Sequence, residues 1–238
     1  MKIALIGYGK MGKAIERIAL SRGHDIILKI DLDNSADLTK ENLSKADVAI
    51  EFTGPSSAAQ NLLKCANAGI PVVCGSTGWL EQYPVIKQAF EKNESAFLYA
   101  SNFSIGVNIF FEINKKLAHL MAPHPEYSVE MREIHHTQKR DAPSGTAITL
   151  AEQVMAEVPG LKNWVNRPSR DAGELPIISE RLDPAAGTHS VKYYSAIDDL
   201  EIIHTAHSRE GFAGGAVLAA EFIQKKKGIF SMKDVLGF

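Results

Sequence analysis

The chain has 238 residues, a formal net charge of −2, 45% hydrophobic residues and 23% charged residues. This balance is typical of a folded globular protein and excludes a chain that is disordered as a whole. The sequence contains no uninterrupted apolar run long enough to span a membrane. A net charge this close to zero gives no electrostatic reason to bind nucleic acid or an anionic membrane, so we expect neither as a partner.

The cysteine content and the amino terminus indicate the compartment. Cys65 and Cys74 are too few for a disulfide framework, so we expect two buried thiols in a reducing environment. Residues 1–6 are apolar but too short for a signal peptide, because Gly7 and Gly9 interrupt the apolar run at once. With no export signal, the expected location is the cytoplasm.

The first hundred residues alternate short apolar runs with amphipathic stretches. The runs predict buried strands, and the stretches with helical spacing of apolar residues predict helices. This alternation is typical of an α/β fold, a Rossmann-type doubly wound parallel sheet with helices on both faces. The predicted strands are residues 2–7, 25–30, 48–52, 72–73 and 97–99, and the predicted helices are residues 11–21, 56–68 and 81–93.

The pattern changes after about residue 104, where strands cluster without regular alternation and predict a second, α+β domain. Residues 159–187 are rich in proline, glycine and charge, so we expect an extended loop there. The expected organisation is a dinucleotide-binding domain at residues 1–104, to which residues 213–238 return, and a second domain at residues 105–212. The predicted helices are residues 107–121, 147–158 and 214–224, and the predicted strands are residues 127–135, 188–194 and 199–204.

Residues 7–12, Gly-Tyr-Gly-Lys-Met-Gly, fit the G-x-G-x-x-G fingerprint of a dinucleotide-binding loop. They lie between a predicted strand and a predicted helix, which is the context that the fingerprint requires. Gly7 permits the tight turn, Gly9 lets the backbone approach a pyrophosphate, and Gly12 lets the helix pack closely on the strand. The helix start then offers N–H groups to the phosphates.

Two further features fit a nucleotide. Asp31 ends the second predicted strand, where an acidic side chain can accept hydrogen bonds from the ribose of adenosine. Asp33 is an alternative acid at this position, and a carboxylate that only caps a turn is the competing interpretation. Residues 74–78, Cys-Gly-Ser-Thr-Gly, follow the fourth strand, and loops at the carboxyl ends of parallel strands line one crevice. We therefore expect residues 75–78 beside the nucleotide, although an ordinary turn is the plainer interpretation.

The densest chemistry lies in residues 133–146, Glu-Ile-His-His-Thr-Gln-Lys-Arg-Asp-Ala-Pro-Ser-Gly-Thr. Ser144 or Thr146 can cap the helix that follows, and a helix start also suits an anion such as a carboxylate. A histidine here can exchange a proton near neutral pH. Lys139 offers a point charge for a second carboxylate.

Three plainer interpretations compete with a catalytic one. Lys139 and Arg140 could lie on a solvated loop, and Ser-Gly-Thr could be a helix cap alone. A metal is the third interpretation, but adjacent histidines on a strand point to opposite faces, and no carboxylate or cysteine spacing supports a site. We therefore predict no metal. The histidines that this interpretation would use are His135, His136, His189, His204 and His207.

Residues 133–146 strongly resemble the signature E-x-H-H-x-x-K-x-D-A-P-S-G-T of the dihydrodipicolinate reductase family, the 4-hydroxy-tetrahydrodipicolinate reductases of bacterial lysine and diaminopimelate synthesis. Further motifs resemble those of the family and follow in the family's order. They are the glycine loop at residues 7–12, Phe-Thr-Gly-Pro at 52–55, Gly-Ser-Thr-Gly at 75–78, Ala-Ser-Asn-Phe-Ser-Ile-Gly-Val-Asn at 100–108, Gly-Thr-His at 187–189, and the segment at 204–216.

The resemblance implies NAD(P)H-dependent reduction of 4-hydroxy-tetrahydrodipicolinate to tetrahydrodipicolinate, a small dicarboxylate. It implies a homotetramer assembled through the sheet of the second domain, which would bind substrate and form the tetramer. His135 corresponds to the proposed general acid and Lys139 to its catalytic partner. The implied substrate-binding residues are His136, Ser144, Gly145 and Thr146. The implied cofactor-binding residues are Gly7, Tyr8, Gly9, Lys10, Met11, Gly12, Asp31, Gly75, Ser76, Thr77, Ala100, Ser101, Asn102, Phe103, Arg209 and Phe212.

The sequence departs from the family pattern in three places. Many members have an extra residue in the first glycine loop, so residues 7–12 are a short form. Members that favour NADPH often carry arginine directly after the ribose-binding acid, where this chain has Leu32, so we expect NADH to be preferred and NADPH to be accepted. The usual R-x-G is replaced by residues 181–187, Arg-Leu-Asp-Pro-Ala-Ala-Gly.

Two alternative functions stay open at this point. Another two-domain Rossmann dehydrogenase, such as an aspartate-type amino-acid dehydrogenase, would explain the glycine loop but not residues 133–146. A non-catalytic nicotinamide-binding regulator would bind the cofactor without turnover.

Overall fold

The computed structural model describes residues 1–238 as two compact units. Unit 1 contains Met1–Ile105 and Arg209–Phe238, and unit 2 contains Gly106–Ser208. The sequence placed the corresponding boundaries after residues 104 and 212. None of the helices combines the length and the apolar character that crossing a membrane requires.

Unit 1 begins with alternating strands and helices. In β1 (Lys2–Ile6), Ala4 and Ile6 pack into one apolar core, whereas Ile3 and Leu5 pack into another. Since successive side chains of a strand point to opposite faces, the sheet has a core on each side. The elements that follow are α1 (Lys10–Ser21), β2 (Asp25–Ile30), α2 (Lys40–Leu43), β3 (Val48–Glu51), α3 (Pro55–Ala68), β4 (Val72–Cys74), α4 (Tyr83–Lys92) and β5 (Ala96–Tyr99), with 3-10 turns at Leu32–Asp37 and Leu80–Gln82.

Unit 2 is built on a mixed five-stranded sheet. Its elements are α5 (Ile105–Met121), β6 (Ser128–His135), α6 (Gly145–Glu157), β7 (Asn163–Val165), β8 (Glu174–Arg181), β9 (Gly187–Tyr194) and β10 (Asp199–Ala206). The strand order is β10-β9-β6-β8-β7, with β9 antiparallel to both of its neighbours. The face of β6 that buries Met131 in the apolar core continues along the strand with Glu133 and His135, which are buried as well.

The chain then returns to unit 1 as α7 (Glu210–Ile223), β11 (Gly228–Phe230) and α8 (Met232–Leu236). The strand β11 pairs parallel with β5 and completes a six-stranded sheet in the order β11-β5-β4-β3-β1-β2, in which every pairing is parallel. The predicted fold class, a Rossmann-type sheet with a second α+β domain, is confirmed.

The predicted loop over residues 159–187 is wrong, because this segment contains β7 and β8. Pro176 lies inside β8, and a proline without an N–H group argues against a central strand. In the structure, β8 pairs with β7 over residues 174–176 and with β6 from Ile177 onward. Pro176 therefore lies where one ladder ends and the other has not begun. The strand β11 was also missed, because it has only three residues and follows a lysine-rich turn.

Candidate active site

The turn between β1 and α1 has the shape that a dinucleotide-binding loop needs. Gly7 has a φ of +95°, and a Cβ there would lie 2.1 Å from the carbonyl oxygen of Phe52, so only glycine fits. A Cβ on Gly12 would lie 2.3 Å from the Gly7 carbonyl oxygen. Gly9 precedes α1 without a side-chain cap, and a Cβ there would meet nothing within 4 Å. The helix start therefore offers space and N–H groups that fit a pyrophosphate.

A cavity of about 200 Å³ opens in unit 1 at the carboxyl ends of three strands. The backbone N–H of Thr53, after β3, donates to Ser76 Oγ, after β4, at 2.8 Å. A Cβ on Gly75 would lie 2.2 Å from the Phe52 ring, so this glycine permits the close approach of the two loops. Four of the predicted cofactor residues line the cavity together with residues 52–55: Met11, Gly75, Ser76 and Thr77.

Asp31 follows β2 and is exposed. Its Oδ1 accepts a hydrogen bond from the backbone N–H of Leu32 at 2.9 Å, and its own N–H donates to Asn34 Oδ1 at 2.7 Å. Asp31 thus caps the 3-10 turn, as the plainer interpretation expected, but its exposure leaves the carboxylate within reach of a ligand. The neighbouring Leu32 is apolar and 92% exposed.

The other predicted cofactor residues differ in exposure. The Tyr8 hydroxyl donates to Glu16, and Lys10 is exposed at the start of α1. Phe103 is only 2% exposed and its ring centroid lies 5.6 Å from that of Phe52, so its side chain belongs to the core and leaves only its backbone for a ligand. Five further predicted cofactor residues do not line the cavity either: Ala100, Ser101, Asn102, Arg209 and Phe212.

In unit 2, β6 and β9 bring three ionisable side chains together. Glu133 and His135 lie two residues apart on β6 and share a face, and His189 stands opposite Glu133 in the antiparallel ladder. His135 Nε2 lies 3.4 Å from Glu133 Oε2 and 3.3 Å from His189 Nε2. The side chains of Glu133, His135 and His189 are 0%, 10% and 6% exposed, so water is largely excluded.

Glu133 is anionic although it is fully buried. Burial alone would raise its pKa, but the adjacent His135 and hydrogen bonding from Ser144 outweigh burial and hold the pKa well below the usual range. The backbone N–H of Ser144 donates to Oε2 at 3.0 Å, and both terminal nitrogens of Arg181 lie 3.3 Å from Oε1. The carboxylate therefore has a charged partner on β8.

His189 is neutral near pH 7. Burial and, to a smaller extent, the nearby His135 together lower its pKa to about 3, although Glu133 opposes the shift. His189 Nε2 lies 3.1 Å from Ser144 Oγ, and its Nδ1 is buried without a hydrogen-bond partner.

Lys139 lies in the loop after β6. Its Nζ donates to the two carboxylate oxygens of Asp141 at 2.9 and 2.8 Å. Arg181 donates to the carbonyl oxygens of Lys139 at 3.3 Å and of Asp141 at 2.5 Å, in addition to its contact with Glu133. Arg181 therefore connects the buried carboxylate to the loop that carries Lys139.

The predicted substrate-binding residues lie around the start of α6. Ser144, and not Thr146, is the N-cap, because its Oγ accepts a hydrogen bond from the backbone N–H of Ala147 at 3.2 Å. Gly145 is exposed, and a Cβ there would meet nothing within 4 Å, so a ligand can approach the helix start. Thr146 is half-buried in the first turn, and His136 is half-buried directly after β6.

The expectation that no carboxylate accompanies the histidines is wrong, because Glu133 lies beside them. Ligand atoms of Glu133, His135 and His189 lie within 4.8 Å of one another, and zinc binds both residue types. However, the carboxylate already accepts hydrogen bonds from Arg181 and Ser144. The buried His189 Nδ1 also lacks the acceptor that normally supports a metal-bound imidazole. The cluster fits a hydrogen-bonded network better than a metal centre, and the metal-free site stays a prediction.

Sequence reasoning gave no role to Glu133 or Arg181 and considered His189 only as a metal ligand. The two-residue spacing of Glu133 and His135 on a predicted strand was a usable signal, since it puts both on one face. His189 could not be placed, because the register of β9 against β6 is not readable from a single strand. Arg181 lay in the segment predicted as a loop.

Comparisons with known proteins agree with this arrangement. The family profile described as dihydrodipicolinate reductase, N-terminus, matches residues 1–103, and the one described as dihydrodipicolinate reductase, C-terminus, matches residues 106–236. A 4-hydroxy-tetrahydrodipicolinate reductase of Christiangramia forsetii is 52% identical over 237 residues, which are 99% of this chain and 98% of the relative. Another, of Methanosarcina mazei, is 38% identical over 241 residues, which are 99% of this chain and 89% of the relative.

One solved structure shows the same fold. It is described as a dipicolinate-bound dihydrodipicolinate reductase from Paenisporosarcina sp. TG-14. It covers 97% of each chain with a TM-score of 0.76 and 24% sequence identity.

A Rossmann-type unit with an open dinucleotide loop, and a second unit with a buried histidine cluster, define a nicotinamide-dependent oxidoreductase of two domains. The chain belongs to the dihydrodipicolinate reductase family, because the two family profiles together cover nearly its whole length. The predicted family and the predicted reductase function are thereby confirmed, in preference to another two-domain dehydrogenase or a non-catalytic regulator.

Proposed function

We propose that the chain reduces 4-hydroxy-tetrahydrodipicolinate to tetrahydrodipicolinate in lysine and diaminopimelate synthesis. The observation that carries this proposal is the cluster around His135. In a chain whose relatives bear the name of this reductase, a buried histidine, a lysine and an open helix start lie in one short segment of unit 2.

The reaction needs one proton donor and groups that hold two carboxylates. The 4-hydroxyl group leaves as water, which gives the cyclic imine a conjugated carbon–carbon double bond. A reduced nicotinamide held at the glycine loop of unit 1 would then supply hydride to an unsaturated carbon of this ring. His135 gives a proton to the adjacent carbon. Lys139 binds one carboxylate in exchange for Asp141, and the start of α6 at Gly145 and Thr146 binds the other. The low exposure of the cluster keeps water from competing for the proton.

For the cofactor, we propose NADH in preference to NADPH. The exposed Asp31 carboxylate at the end of β2 can bind a ribose diol and would repel a 2′-phosphate. Leu32 supplies no positive charge to offset that repulsion. Lys10, exposed at the start of α1, is the cation that keeps NADPH acceptable.

We also propose a homotetramer assembled through the sheet of unit 2, as the family resemblance implies. The edge strand β10 and the turn before it expose Ile197 (87%), Leu200 (41%) and Ile203 (60%). Exposed apolar side chains on a sheet edge support association between copies. A biosynthetic reductase that draws on the nicotinamide pool supports the expected location in the cytoplasm.

The test is a coupled assay with aspartate semialdehyde, pyruvate and the preceding synthase, in which the loss of NADH or NADPH absorbance is followed. We expect absorbance to fall only when all three components and this protein are present. His135→Gln should lower kcat about 10²–10⁴-fold, with the Kd for NADH nearly unchanged in a fluorescence titration. No turnover by the wild type would refute the proposed function, and a loss below tenfold would remove His135 from the role.

A further inference from the structure

The two nitrogens of the His135 ring lie in different surroundings. Nε2 faces the buried cluster, 3.4 Å from Glu133 Oε2 and 3.3 Å from His189 Nε2. Nδ1 makes no hydrogen bond within the protein, and it is not fully buried. Nδ1 therefore reaches the surface, where a substrate can meet it.

From this geometry we propose that Glu133 and His189 are positioning residues that hold Nε2 of His135 inside the cluster, so that Nδ1 delivers the proton. The proposal rests on the proposed function, since it assumes that His135 is the proton donor. It adds which atom acts, and which side chains decide that.

Glu133 determines where the inner proton lies. Its carboxylate is anionic. Arg181 contacts Oε1, and the backbone N–H of Ser144 donates to Oε2, the oxygen that faces His135 Nε2. An imidazole lone pair aimed at an anionic oxygen would be repelled, so Nε2 carries hydrogen in both the neutral and the protonated ring. The proton that comes and goes is then on Nδ1. The same logic fixes the histidine of a catalytic triad through its buried carboxylate.

His189 fixes the orientation of the ring. It stands opposite Glu133 in the ladder between β6 and β9, and its ring lies 5.0 Å from that of His135 at an interplanar angle of 69°. Ser144 Oγ, 3.1 Å from His189 Nε2, holds His189 in turn. The neutral His189 ring thus occupies space in which water could otherwise solvate Nε2 of His135. It also prevents the His135 ring from flipping.

Gly187 leaves the other edge of the ring open. A Cβ at this position would lie 3.0 Å from Cε1 and 3.2 Å from Nδ1 of His135. Gly187 and His189 are two residues apart on β9 and therefore share a face. On β9, the His189 side chain thus encloses Nε2 of His135, and the absence of a side chain at Gly187 leaves Nδ1 accessible.

The first test measures the tautomer directly in the full-length wild-type protein. ¹⁵N-histidine labelling and NMR distinguish protonated from unprotonated ring nitrogens, and His135→Gln identifies the His135 signals. We expect neutral His135 to be protonated on Nε2 and unprotonated on Nδ1. A neutral ring protonated on Nδ1 would overturn the inference, whether or not the protein is an active reductase.

The second test separates positioning from simple structural support. Glu133→Gln and His189→Leu should each lower kcat by about 10²-fold or more, with the KM for substrate and the Kd for NADH changed little. His189→Gln places a polar group near the position of the His189 Nε2 atom, so it should recover most of the kcat that His189→Leu loses. The matched control is His204→Gln on the neighbouring strand β10, which should keep wild-type kcat.

The outcomes distinguish the two claims. If the wild type is inactive, or if His135→Gln keeps its activity, the proposed function fails at its own step. If His135→Gln is inactive but His189→Leu keeps kcat within threefold of the wild type, the proposed function stands and this inference fails. This inference also fails if His189→Gln has a kcat as low as that of His189→Leu, because a polar partner for His135 Nε2 would then not matter.

Discussion

In the proposed reaction, Lys139 exchanges its present partner for a substrate carboxylate. In the structure its ammonium group is paired with Asp141, whose side chain is 59% exposed, so a substrate carboxylate can replace Asp141 without a buried charge being left behind. A hydrogen bond between charged groups contributes about 1.5–3 kcal/mol, so Lys139→Ala should lower kcat/KM by about 10- to 150-fold and raise KM. Steady-state kinetics check this result. Asp141→Asn is the companion variant, which should keep or lower KM. Wild-type kinetics in Lys139→Ala would remove the lysine from the site.

We expect Leu32 and Asp31 together to determine the cofactor preference. Only one or two electrostatic contributions operate here, so we expect the wild type to prefer NADH by less than about a hundredfold. Leu32→Arg places a cation beside the position of a 2′-phosphate and should move the ratio of kcat/KM values toward NADPH. Leu20→Arg adds the same charge at another exposed leucine and should leave the ratio unchanged. A wild-type preference for NADPH of tenfold or more, at low salt, would contradict the assignment.

How well a helix or strand could be predicted depended on whether its signal is local in the sequence. Asp25–Ile30 was predicted to the residue, because an apolar run between a glycine and a turn leaves one interpretation. The strand β8 was missed although Leu175 and Ile177 are fully buried, because Pro176 between them masks the pattern. His135 was found from its motif, whereas its contact with His189 depends on a register between strands that are far apart in the sequence. Local patterns were readable, and pairing between distant strands was not.

The turn from β1 to α1 permits a test in which two glycines have opposite roles. A Cβ on Gly12 would collide with the Gly7 carbonyl oxygen, so Gly12→Ala should destabilise unit 1. A Cβ on Gly9 meets nothing, so Gly9→Ala should keep the stability of the wild type. That same Cβ would occupy the space into which a pyrophosphate fits, and the Kd for NADH should rise at least tenfold. Urea unfolding and NADH titration of both variants check this, and tight NADH binding by Gly9→Ala would place the pyrophosphate elsewhere.

The predicted cofactor-binding and substrate-binding residues lie in different units of the molecule. Every predicted cofactor residue lies in unit 1, and His135, Lys139 and the predicted substrate ligands all lie in unit 2. The cost of burying the cluster of Glu133, His135 and His189 therefore falls on unit 2. Each unit contains one of the two tryptophans, Trp79 in unit 1 and Trp164 in unit 2, so fluorescence can follow the unfolding of each unit separately.

The stability of unit 2 should fall as the pH is lowered from 7 to 5. The pKa of His189 is about 3 in the folded chain and 6.5 in the unfolded chain, so between these values the unfolded state binds a proton that the folded state does not. Stability therefore rises with pH across this window, and the loss from pH 7 to pH 5 amounts to about 2 kcal/mol. The depressed pKa of Glu133 acts with the same sign but only below about pH 5, where the unfolded carboxyl begins to bind protons.

Urea unfolding of a Trp79→Phe protein at pH 7, 6 and 5, followed through Trp164, measures this dependence for unit 2. His189→Gln should remove most of the pH dependence, because a glutamine cannot bind the proton in the unfolded state. His207→Gln, which removes an exposed histidine of the same unit, should leave the dependence in place. If His189→Gln and the wild type lose the same free energy of unfolding between pH 7 and pH 5, then His189 is not the buried neutral base of unit 2.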